Sequence, residues 1–250
     1  MPARYSKGWI RQPEDKRDFV FAVARDAVLP AVVDLKPGCP PVWNQGQTSS
    51  CTAHATLAAF LYDSQGRPIT MLSRMMQYYD SRILSGDTGF DGGAQIRDSA
   101  KAMNKWGACE EDLWPFDADH LLTVPSGDCY VAAKDHRTNS YVAIDRGGLR
   151  HALASGYPVV CGIEVYESFE TDEVAKTGII PMPLQAEEDN GGHAILLVGY
   201  DDEKQTFTFR NSWGVEWGDG GYGTLPTAYL QDERLSSDFW QIQQQEVVAP

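Results

Sequence analysis

The apolar positions divide the chain into a helical first part and a strand-rich second part. Residues 51–63 are rich in Ala and Leu and contain neither Gly nor Pro, which predicts a buried helix. Two further helices are predicted, one capped by Ser73 and one that follows Gly93 and ends at Gly107.

From about residue 125 the pattern changes to short runs of β-branched and aromatic residues. These runs are YPVVCGIEVY, HAILLVGYDD, QTFTFRNSW and GGYGTL. One helix is predicted among them, from Gly148 to Ser155. Helices first and strands second predict an α+β fold with a helical lobe over about 39–125 and a β-rich lobe over about 126–250 plus 29–38. A site is expected in the cleft between the lobes.

The N-terminal residues 1–28 follow a different pattern. Charged and aromatic side chains are mixed there without a regular period, and Pro13 interrupts any long helix. The pattern predicts an extended arm, followed by a folded domain over 29–250. The aromatic residues of the arm are Tyr5, Trp9, Phe19 and Phe21.

Composition and charge narrow the classes of function. The chain has 250 residues, 42% of them hydrophobic, so it can bury a sizeable core without disulfides or metals. Its formal net charge is −14, so it has no excess of Lys and Arg with which to bind nucleic acids or anionic membrane surfaces. We therefore expect neither nucleic acid nor a membrane as a partner.

The cysteines and the N-terminus bear on the cellular compartment. No apolar run is long enough to span a membrane, and the first residues lack the apolar core of a secretory signal. We therefore expect a cytoplasmic protein, with leaderless export left open. The five cysteines form no CxxC pair, which argues against a disulfide framework, and their spacing matches no zinc pattern. No metal and no cofactor are expected.

Cys51 is the strongest candidate for chemistry. It stands at the start of the first predicted helix, where unpaired backbone N–H groups stabilise a thiolate and lower its pKa. A nucleophilic thiolate needs a base, and His193 has the most distinctive context, between Gly192 and Ala194 at the start of the apolar run ILLVGY. Asn211, in the sequence Asn-Ser-Trp-Gly, would hold the imidazole ring.

These motifs and their order resemble the papain family of cysteine peptidases. Gln45 precedes Cys51 at the spacing of the family's oxyanion-hole glutamine, and the histidine and asparagine motifs follow in the family's order. The resemblance covers about Leu29 to Trp240. It implies a two-lobed fold, with a helical left lobe, a β-barrel-like right lobe and the active-site cleft between them.

The resemblance also implies roles for individual residues. The side-chain amide of Gln45 and the backbone N–H of Cys51 would bind the tetrahedral oxyanion. Gly92 and Gly93 look like the glycine pair that hydrogen-bonds substrate backbone. The other implied substrate contacts are Ala94, Gly162, Gly192, Ala194 and Trp213, of which Ala94, Gly162 and Ala194 would line a roomy apolar pocket and Trp213 would shield the His193–Asn211 hydrogen bond.

The sequence departs from the family at the nucleophile. The family's Cys-Gly-Ser-Cys-Trp reads Thr48-Ser49-Ser50-Cys51-Thr52 here, so the usual half-cystine and the aromatic residue after the nucleophile are both missing. No catalytic group is lost by this change. The missing disulfide agrees with a reducing compartment.

The resemblance implies a cysteine endopeptidase that hydrolyses peptide bonds through a thioester at Cys51. A peptide ligase or acyltransferase on the same fold, or a non-catalytic peptide-binding module, are the alternatives. His54 lies three residues after Cys51 on the same helix, where it cannot approach the thiol as an ion pair requires, and it is not expected to act in catalysis. The acidic run 187–189 is expected to form either a solvated loop or a cleft rim that favours basic substrates.

The arm has two readings. Papain-like zymogens carry a longer pro-segment across the cleft, so residues 1–28 would be a short pro-segment lying over Cys51. Alternatively, the arm packs on the far side of the domain. The expected partners are therefore a polypeptide substrate and the protein's own arm.

Overall fold

The structure, a computed structural model, describes residues 5–20, 28–62 and 69–243. Its α-helices are α1 Cys51–Phe60, α2 Arg74–Ser85, α3 Ile96–Lys105, α4 Gly127–Ala132, α5 Leu149–Ala154, α6 Asp172–Thr177 and α7 Thr227–Gln231. Its strands are β1 Val32–Asp34, β2 Ser140–Ala143, β3 Val159–Tyr166, β4 Asp189–Asp201, β5 Thr206–Arg210, β6 Tyr222–Pro226 and β7 Ser236–Gln243. Short 3-10 turns connect several of these elements.

The strands pair into one antiparallel sheet of order β2-β7-β3-β4-β5-β6, and β1 joins it by pairing with β4. Strand β4 is the longest strand described and pairs with β1, β3 and β5. A strand held by several neighbours cannot shift without breaking their hydrogen bonds. The residues of β4 from Leu196 onward are therefore held on both edges, and those before it, His193 included, by β3 alone.

Two hydrophobic cores give the molecule its two lobes. One core lies within the β-rich part, between the sheet and helices such as α5 and α6. The other joins helices α1 and α3 to the opposite face of the sheet and includes Leu57, Leu196 and Trp240. Each fully buried aliphatic side chain contributes roughly 1.5 to 3 kcal/mol by leaving water. The predicted two-lobed α+β fold is confirmed.

The long predicted helices occur where the sequence placed them. The Ser73 hydroxyl accepts a hydrogen bond from the Met76 N–H, and Gly86 ends α2 in the left-handed conformation. Helix α1 is buried along its whole length, as its Ala and Leu content predicts, but ends at Phe60. The last predicted residue of this helix, Asp63, lies outside the described residues.

The prediction of a single helix after residue 125 is wrong. That helix is α5, but α4, α6 and α7 also occur in this part of the chain. Each of these three has only five or six residues, which is too short to show a helical period. Strand β4 also begins earlier than predicted, because Asp189 pairs with Tyr166 of β3.

The described part of the arm, residues 5–20, is extended, as predicted. It forms single bridges to the domain at Trp9 and Val20 but no helix or regular strand. A buried ion pair of 2.6 Å between Asp18 and the Arg97 guanidinium fastens its second half to α3. Phe19 is 80% exposed and does not lie in the cleft, whereas Phe21 lies outside the described residues.

All five cysteines are free thiols in the structure. Among the described residues, no helix combines the length and the apolar character that crossing a membrane requires. No three His, Cys, Asp or Glu side chains in the described ranges come together as metal ligands would.

Candidate active site

The fold brings Cys51, at the first residue of α1, against strand β4. The Cys51 thiol is fully buried, and its Sγ accepts a hydrogen bond of 3.4 Å from the backbone N–H of Ala194. Ala194 directly follows His193, so the strand that carries the predicted base also contacts the predicted nucleophile. This contact joins the helical lobe to the β-rich lobe.

His193 and Asn211 form the predicted pair. The imidazole Nε2 lies 2.8 Å from Oδ1 of Asn211, and the same Oδ1 accepts the backbone N–H of Ser212 at 2.8 Å. Because Oδ1 can only accept, the imidazole proton belongs on Nε2. The Nδ1 atom has no hydrogen-bond partner among the described residues and is left as the basic nitrogen.

Trp213 covers this pair, as predicted. Its ring stacks on the His193 imidazole with 4.6 Å between ring centroids and an interplanar angle of 26°. Trp213 is itself buried, against Phe169 and Trp217. The aromatic cover keeps water from competing for the hydrogen bond between His193 and Asn211.

The predicted low pKa of Cys51 is wrong for this state of the protein. Burial raises the pKa of the Cys51 thiol to about 12, although the backbone N–H groups of Ala194, Gly8 and Thr52 favour the thiolate. Burial likewise lowers the pKa of His193 to about 4, although the hydrogen bond that the imidazole donates to Asn211 opposes this. The effect of the helix N-terminus is present, but it is smaller than the cost of burying charge. Thiol and imidazole are therefore both neutral here.

Gln45 lies on the other side of Cys51, with its amide held in one orientation. Its Oε1 accepts the hydroxyl of Ser212 at 2.6 Å, so Nε2 is the donor end. One N–H of Nε2 binds the carbonyl of Thr48 at 2.8 Å, and the other points to the carbonyl of Ser6 in the arm at 3.1 Å. Gln45 thus presents one hydrogen-bond donor to a carbonyl oxygen in the cleft.

Ser212 was not singled out from the sequence. It neighbours Asn211 in the same motif, yet its hydroxyl holds Gln45 while its N–H holds Asn211. Ser212 thus joins the oxyanion donor to the residue that holds the imidazole. Its position within the Asn-Ser-Trp-Gly motif was the sequence feature that could have indicated this role.

The arm runs through the cleft beside these residues. The N–H groups of Gly8 and Trp9 both donate to the carbonyl of Gly192, at 3.1 and 3.0 Å. On the opposite wall, Ala94 donates to the Gly8 carbonyl at 2.8 Å and accepts from Ile10 at 3.0 Å. The arm is thereby hydrogen-bonded to both walls of the cleft.

The structure changes the expected role of Gly92 and Gly93. The N–H of Gly93 donates to the Tyr78 hydroxyl at 3.0 Å, so Ala94 makes the hydrogen bonds to the arm instead. Gly93 has a φ of +86°, and a Cβ there would lie 2.2 Å from the Gly8 carbonyl oxygen. Gly93 is therefore needed for close approach rather than as a donor. Among the described residues, Gly92 makes no backbone hydrogen bond to the arm.

Asp91, beside the glycine pair, organises this wall and was also missed. Its carboxylate accepts the N–H of Ser49 at 2.9 Å and the Tyr78 hydroxyl at 2.5 Å. It therefore connects the loop before Cys51 to the wall that carries Gly93. An acidic residue next to two glycines was a weak sequence signal for this role.

The residues predicted to line a substrate pocket surround the Trp9 ring of the arm. A Cβ on Gly162 would lie 2.1 Å from the Trp9 ring, and one on Gly192 would lie 2.7 Å from it. Ala94 is bridged to Trp9, and Ala194 belongs to the same core cluster. The two glycines have no side chain and the two alanines have only a methyl group, which leaves room for one indole ring.

The pocket is not wholly apolar, because it ends at a carboxylate. The Trp9 indole Nε1 donates to Oδ2 of Asp238 at 2.9 Å. Burial raises the pKa of Asp238, although the hydrogen bonds from Gln12, Trp9 and Ser237 oppose this. Asp238 lies outside the predicted motifs, and nothing in its local sequence marks it as a pocket residue.

The other histidine candidates do not join the site. His54 is fully buried, and its Nδ1 lies 3.0 Å from the carbonyl of Ser50. Its ring packs edge-on against Phe116, and burial lowers its pKa to about 3. His120 stacks on Trp114, away from Cys51. His54 therefore packs in the interior.

Comparison with known proteins identifies the group to which the chain belongs. Residues 29–235 match the family described as papain family cysteine protease. Xylellain, a cysteine protease from Xylella fastidiosa, is 34% identical with a TM-score of 0.90, and the match covers 98% of each chain. An uncharacterized peptidase C1-like protein from Acanthamoeba polyphaga mimivirus is 35% identical over 95% of this chain and 86% of its own.

More distant animal enzymes match as well. Cathepsin K of Gallus gallus is 28% identical over 209 residues, which are 78% of this chain and 58% of that protein. This chain thus spans less than two thirds of that relative. The matched residues include Gln45, Cys51, His193 and Asn211 within 29–235. The chain belongs to the papain family of cysteine proteases and is a cysteine peptidase.

Proposed function

We propose that the protein is a cysteine endopeptidase whose own N-terminal arm covers the active-site cleft. The proposal rests on two contacts of the arm: the carbonyl of Ser6 accepts an N–H of Gln45, and the backbone N–H of Gly8 lies against the Cys51 thiol. A substrate carbonyl placed at the same point would be next to the thiol and to an oxyanion donor.

Acylation follows from the tautomer of His193. Nδ1 takes the proton of the Cys51 thiol, while Nε2–H stays on Asn211 and holds the ring. The Sγ–C bond forms as the carbonyl electron pair moves to oxygen, where the Gln45 amide and the Cys51 N–H bind the negative charge. The C–N bond then breaks, and Nδ1–H gives its proton to the leaving amine.

Deacylation uses the same groups in reverse. His193 Nδ1 takes a proton from water, and the resulting hydroxide oxygen attacks the thioester carbon. The second tetrahedral oxyanion occupies the position near Gln45. The C–S bond breaks, the Cys51 sulfur takes back its proton, and the acid product leaves. No cofactor takes part in these steps.

The arm lies in the cleft in the wrong direction for cleavage. The resemblance assigns the pocket around Trp9 to the substrate residue second on the N-terminal side of the scissile bond. The leaving amine must be on the side of His193 and Trp213, where Tyr5 stacks at 4.3 Å. The arm runs from Tyr5 to Trp9, which is opposite to the direction of a substrate. The amide nitrogen of an arm peptide bond placed at Cys51 would therefore face away from His193, the group that must protonate the leaving amine. The arm therefore blocks the cleft without serving as a substrate.

The first prediction concerns Trp9. Trp9→Ala removes the side chain that fills the pocket, and loss of a buried Trp side chain costs about 3 to 5 kcal/mol. The population of the uncovered form should rise accordingly, so iodoacetamide should label Cys51 about 10² to 10³-fold faster, or more, in the full chain. Peptide mapping by mass spectrometry gives the rate.

Phe19→Ala is the matched control, because Phe19 is an exposed aromatic residue of the same arm. Its labelling rate should equal that of the wild type. A chain beginning at Leu29 gives a second test. Unchanged labelling together with lost thermal stability would show that the arm is part of the fold rather than a cover.

The second prediction concerns pH. The Cys51 thiol has a pKa of about 12 under the arm, and a lower one when uncovered. At a pH above the thiol pKa of the uncovered form, that form has lost the thiol proton, whereas the covered form keeps it. Each further pH unit therefore favours uncovering by up to about tenfold. Between pH 9 and 11 the wild-type labelling rate should still rise, whereas that of Trp9→Ala should be level. Parallel profiles, with circular dichroism showing intact folding, would contradict this.

The third prediction concerns the nucleophile, tested in the Trp9→Ala background. Cys51→Ala should lower peptide hydrolysis by roughly 10⁵-fold or more and abolish labelling by an epoxide warhead. Cys39→Ala, at a half-buried free thiol, should leave both unchanged. Hydrolysis that survives Cys51→Ala would end the assignment. Capture of most of the acyl group by an added amine would favour the acyltransferase alternative.

The fourth prediction concerns the oxyanion donor. Gln45→Ala should lower kcat by about 10² to 10³, because one donor to the oxyanion is lost. Labelling by iodoacetamide forms no oxyanion and should change little. Gln47→Ala removes a nearby exposed glutamine and should have no effect. Equal loss of turnover and labelling in Gln45→Ala would mean that Gln45 supports the thiolate or the fold.

A further inference from the structure

A buried ion pair joins the arm to the cleft beside the active site. The Lys7 ammonium lies 2.9 Å from Oε1 of Glu170, and the two side chains are only 7% and 8% exposed. Glu170 ends the turn Glu167–Glu170 that follows β3. Among the described residues, Lys7 is the one cation within ion-pair distance of this carboxylate.

The domain holds Glu170 without help from the arm. Its Oε2 accepts the side-chain amide of Asn190 at 2.8 Å, and Asn190 lies at the start of β4. Within the part of the chain that the structure describes, Oε1 interacts only with arm residues, namely the Lys7 ammonium and the Tyr5 N–H. When the arm leaves, the carboxylate keeps its hydrogen bond from Asn190, while Oε1 loses both donors and faces the opened cleft. A charged carboxylate held in this way attracts a cation that enters the cleft.

The position of Glu170 identifies which part of a substrate it would meet. Lys7 and Tyr5 flank Ser6, whose carbonyl is on the Gln45 amide. Tyr5 stacks on Trp213, and Trp213 stacks on His193, so this part of the cleft is on the side of the imidazole.

The charge of Lys7 reaches the imidazole itself. Burial is the main cause of the low pKa of His193, and the ammonium of Lys7 lowers it further. Because the imidazole must protonate the leaving amine, the residue beside it belongs to the leaving group. Glu170 thus faces the substrate residue just after the scissile bond.

We propose that Glu170 forms an anionic subsite for a lysine side chain at the first substrate position after the scissile bond, and that Lys7 occupies this subsite while the arm covers the cleft. The proposal rests on the proposed peptidase function. With Oε2 held by Asn190, one oxygen is free, which suits the point charge of an ammonium better than the two-pronged guanidinium of arginine.

The acidic run 187–189, predicted as a candidate for selecting basic substrates, has other partners. The two oxygens of Glu187 accept the N–H groups of Leu184 and Ser168, at 2.8 and 3.0 Å. Asp189 accepts the N–H of Gly191 at 2.8 Å. These carboxylates shape their own loop, so Glu170 is the better candidate for selectivity.

The test compares peptides that share one N-terminal half and differ only in the residue after the scissile bond: Lys, Arg, Gln or Glu. All four form the same acyl-enzyme, so kcat/KM isolates binding and acylation, and mass spectrometry locates the cleaved bond. In Trp9→Ala protein, Lys should be preferred over Gln by about tenfold or more, with Arg between them and Glu last. Glu170→Gln should remove this preference but keep hydrolysis of the Gln peptide. Glu173→Gln, at an exposed neighbour on α6, should keep the preference.

The outcomes separate the two proposals. If all peptides are cut without preference for Lys over Gln, the subsite is wrong and the peptidase function stands; this needs no Glu170 variant and so does not depend on its folding. An equal Lys preference in Glu170→Gln also overturns the subsite. If no peptide is hydrolysed, the peptidase proposal fails, and the subsite fails with it. In the full chain, Lys7→Gln should speed iodoacetamide labelling of Cys51, and an unchanged rate would count against Lys7 as the occupant.

Discussion

The contact between the first turn of α1 and strand β4 is the constraint on which the active site depends. Cys51 begins a helix that is buried along its whole length, and its sulfur meets the N–H of Ala194. Strand β4 pairs His193 with Ile163 of β3, so His193 cannot move without disturbing the sheet. The segment after β5 adds Asn211 and, through Ser212, the amide of Gln45. Nucleophile, base and oxyanion donor are thus held by the same core.

The cleft is formed as much by missing side chains as by present ones. Gly162 and Gly192 leave room for a ring, and Gly93 lets a backbone approach closely in a conformation that other residues avoid. In this structure Trp9 uses that room, while the backbone beside it bonds to both walls. A surface built to accept an extended peptide accepts the arm by the same contacts, because the main chain offers its hydrogen bonds in either direction. On this view, the chain direction of the bound peptide, rather than its affinity, decides whether it blocks the cleft or is cleaved.

The sequence predicted what is encoded locally. The Ala-rich run, the Ser73 cap and the histidine and asparagine motifs each carry their signal within a few residues. Asp238 could not be predicted, because it meets Trp9 across 229 positions and only the folded pocket brings them together. Glu170 and Lys7 are likewise 163 positions apart. The pKa of Cys51 was predicted with the wrong sign, since the helix N-terminus is visible in the sequence but the burial that outweighs it depends on where the arm lies.

Burial of the active site couples covering to ionisation. Beneath the arm, both Cys51 and His193 are kept neutral by the cost of placing charge in a dry interior. A neutral thiol is a poor nucleophile, so the arm would restrain the chemistry even if a small electrophile reached the sulfur. In the proposed mechanism the arm leaves, water enters, and the cost of forming the thiolate–imidazolium pair falls. The hydrogen bond from Ala194 and the N-terminus of the helix, which do not ionise Cys51 in the covered state, would then favour its thiolate, so one displacement would both open the cleft and activate the nucleophile.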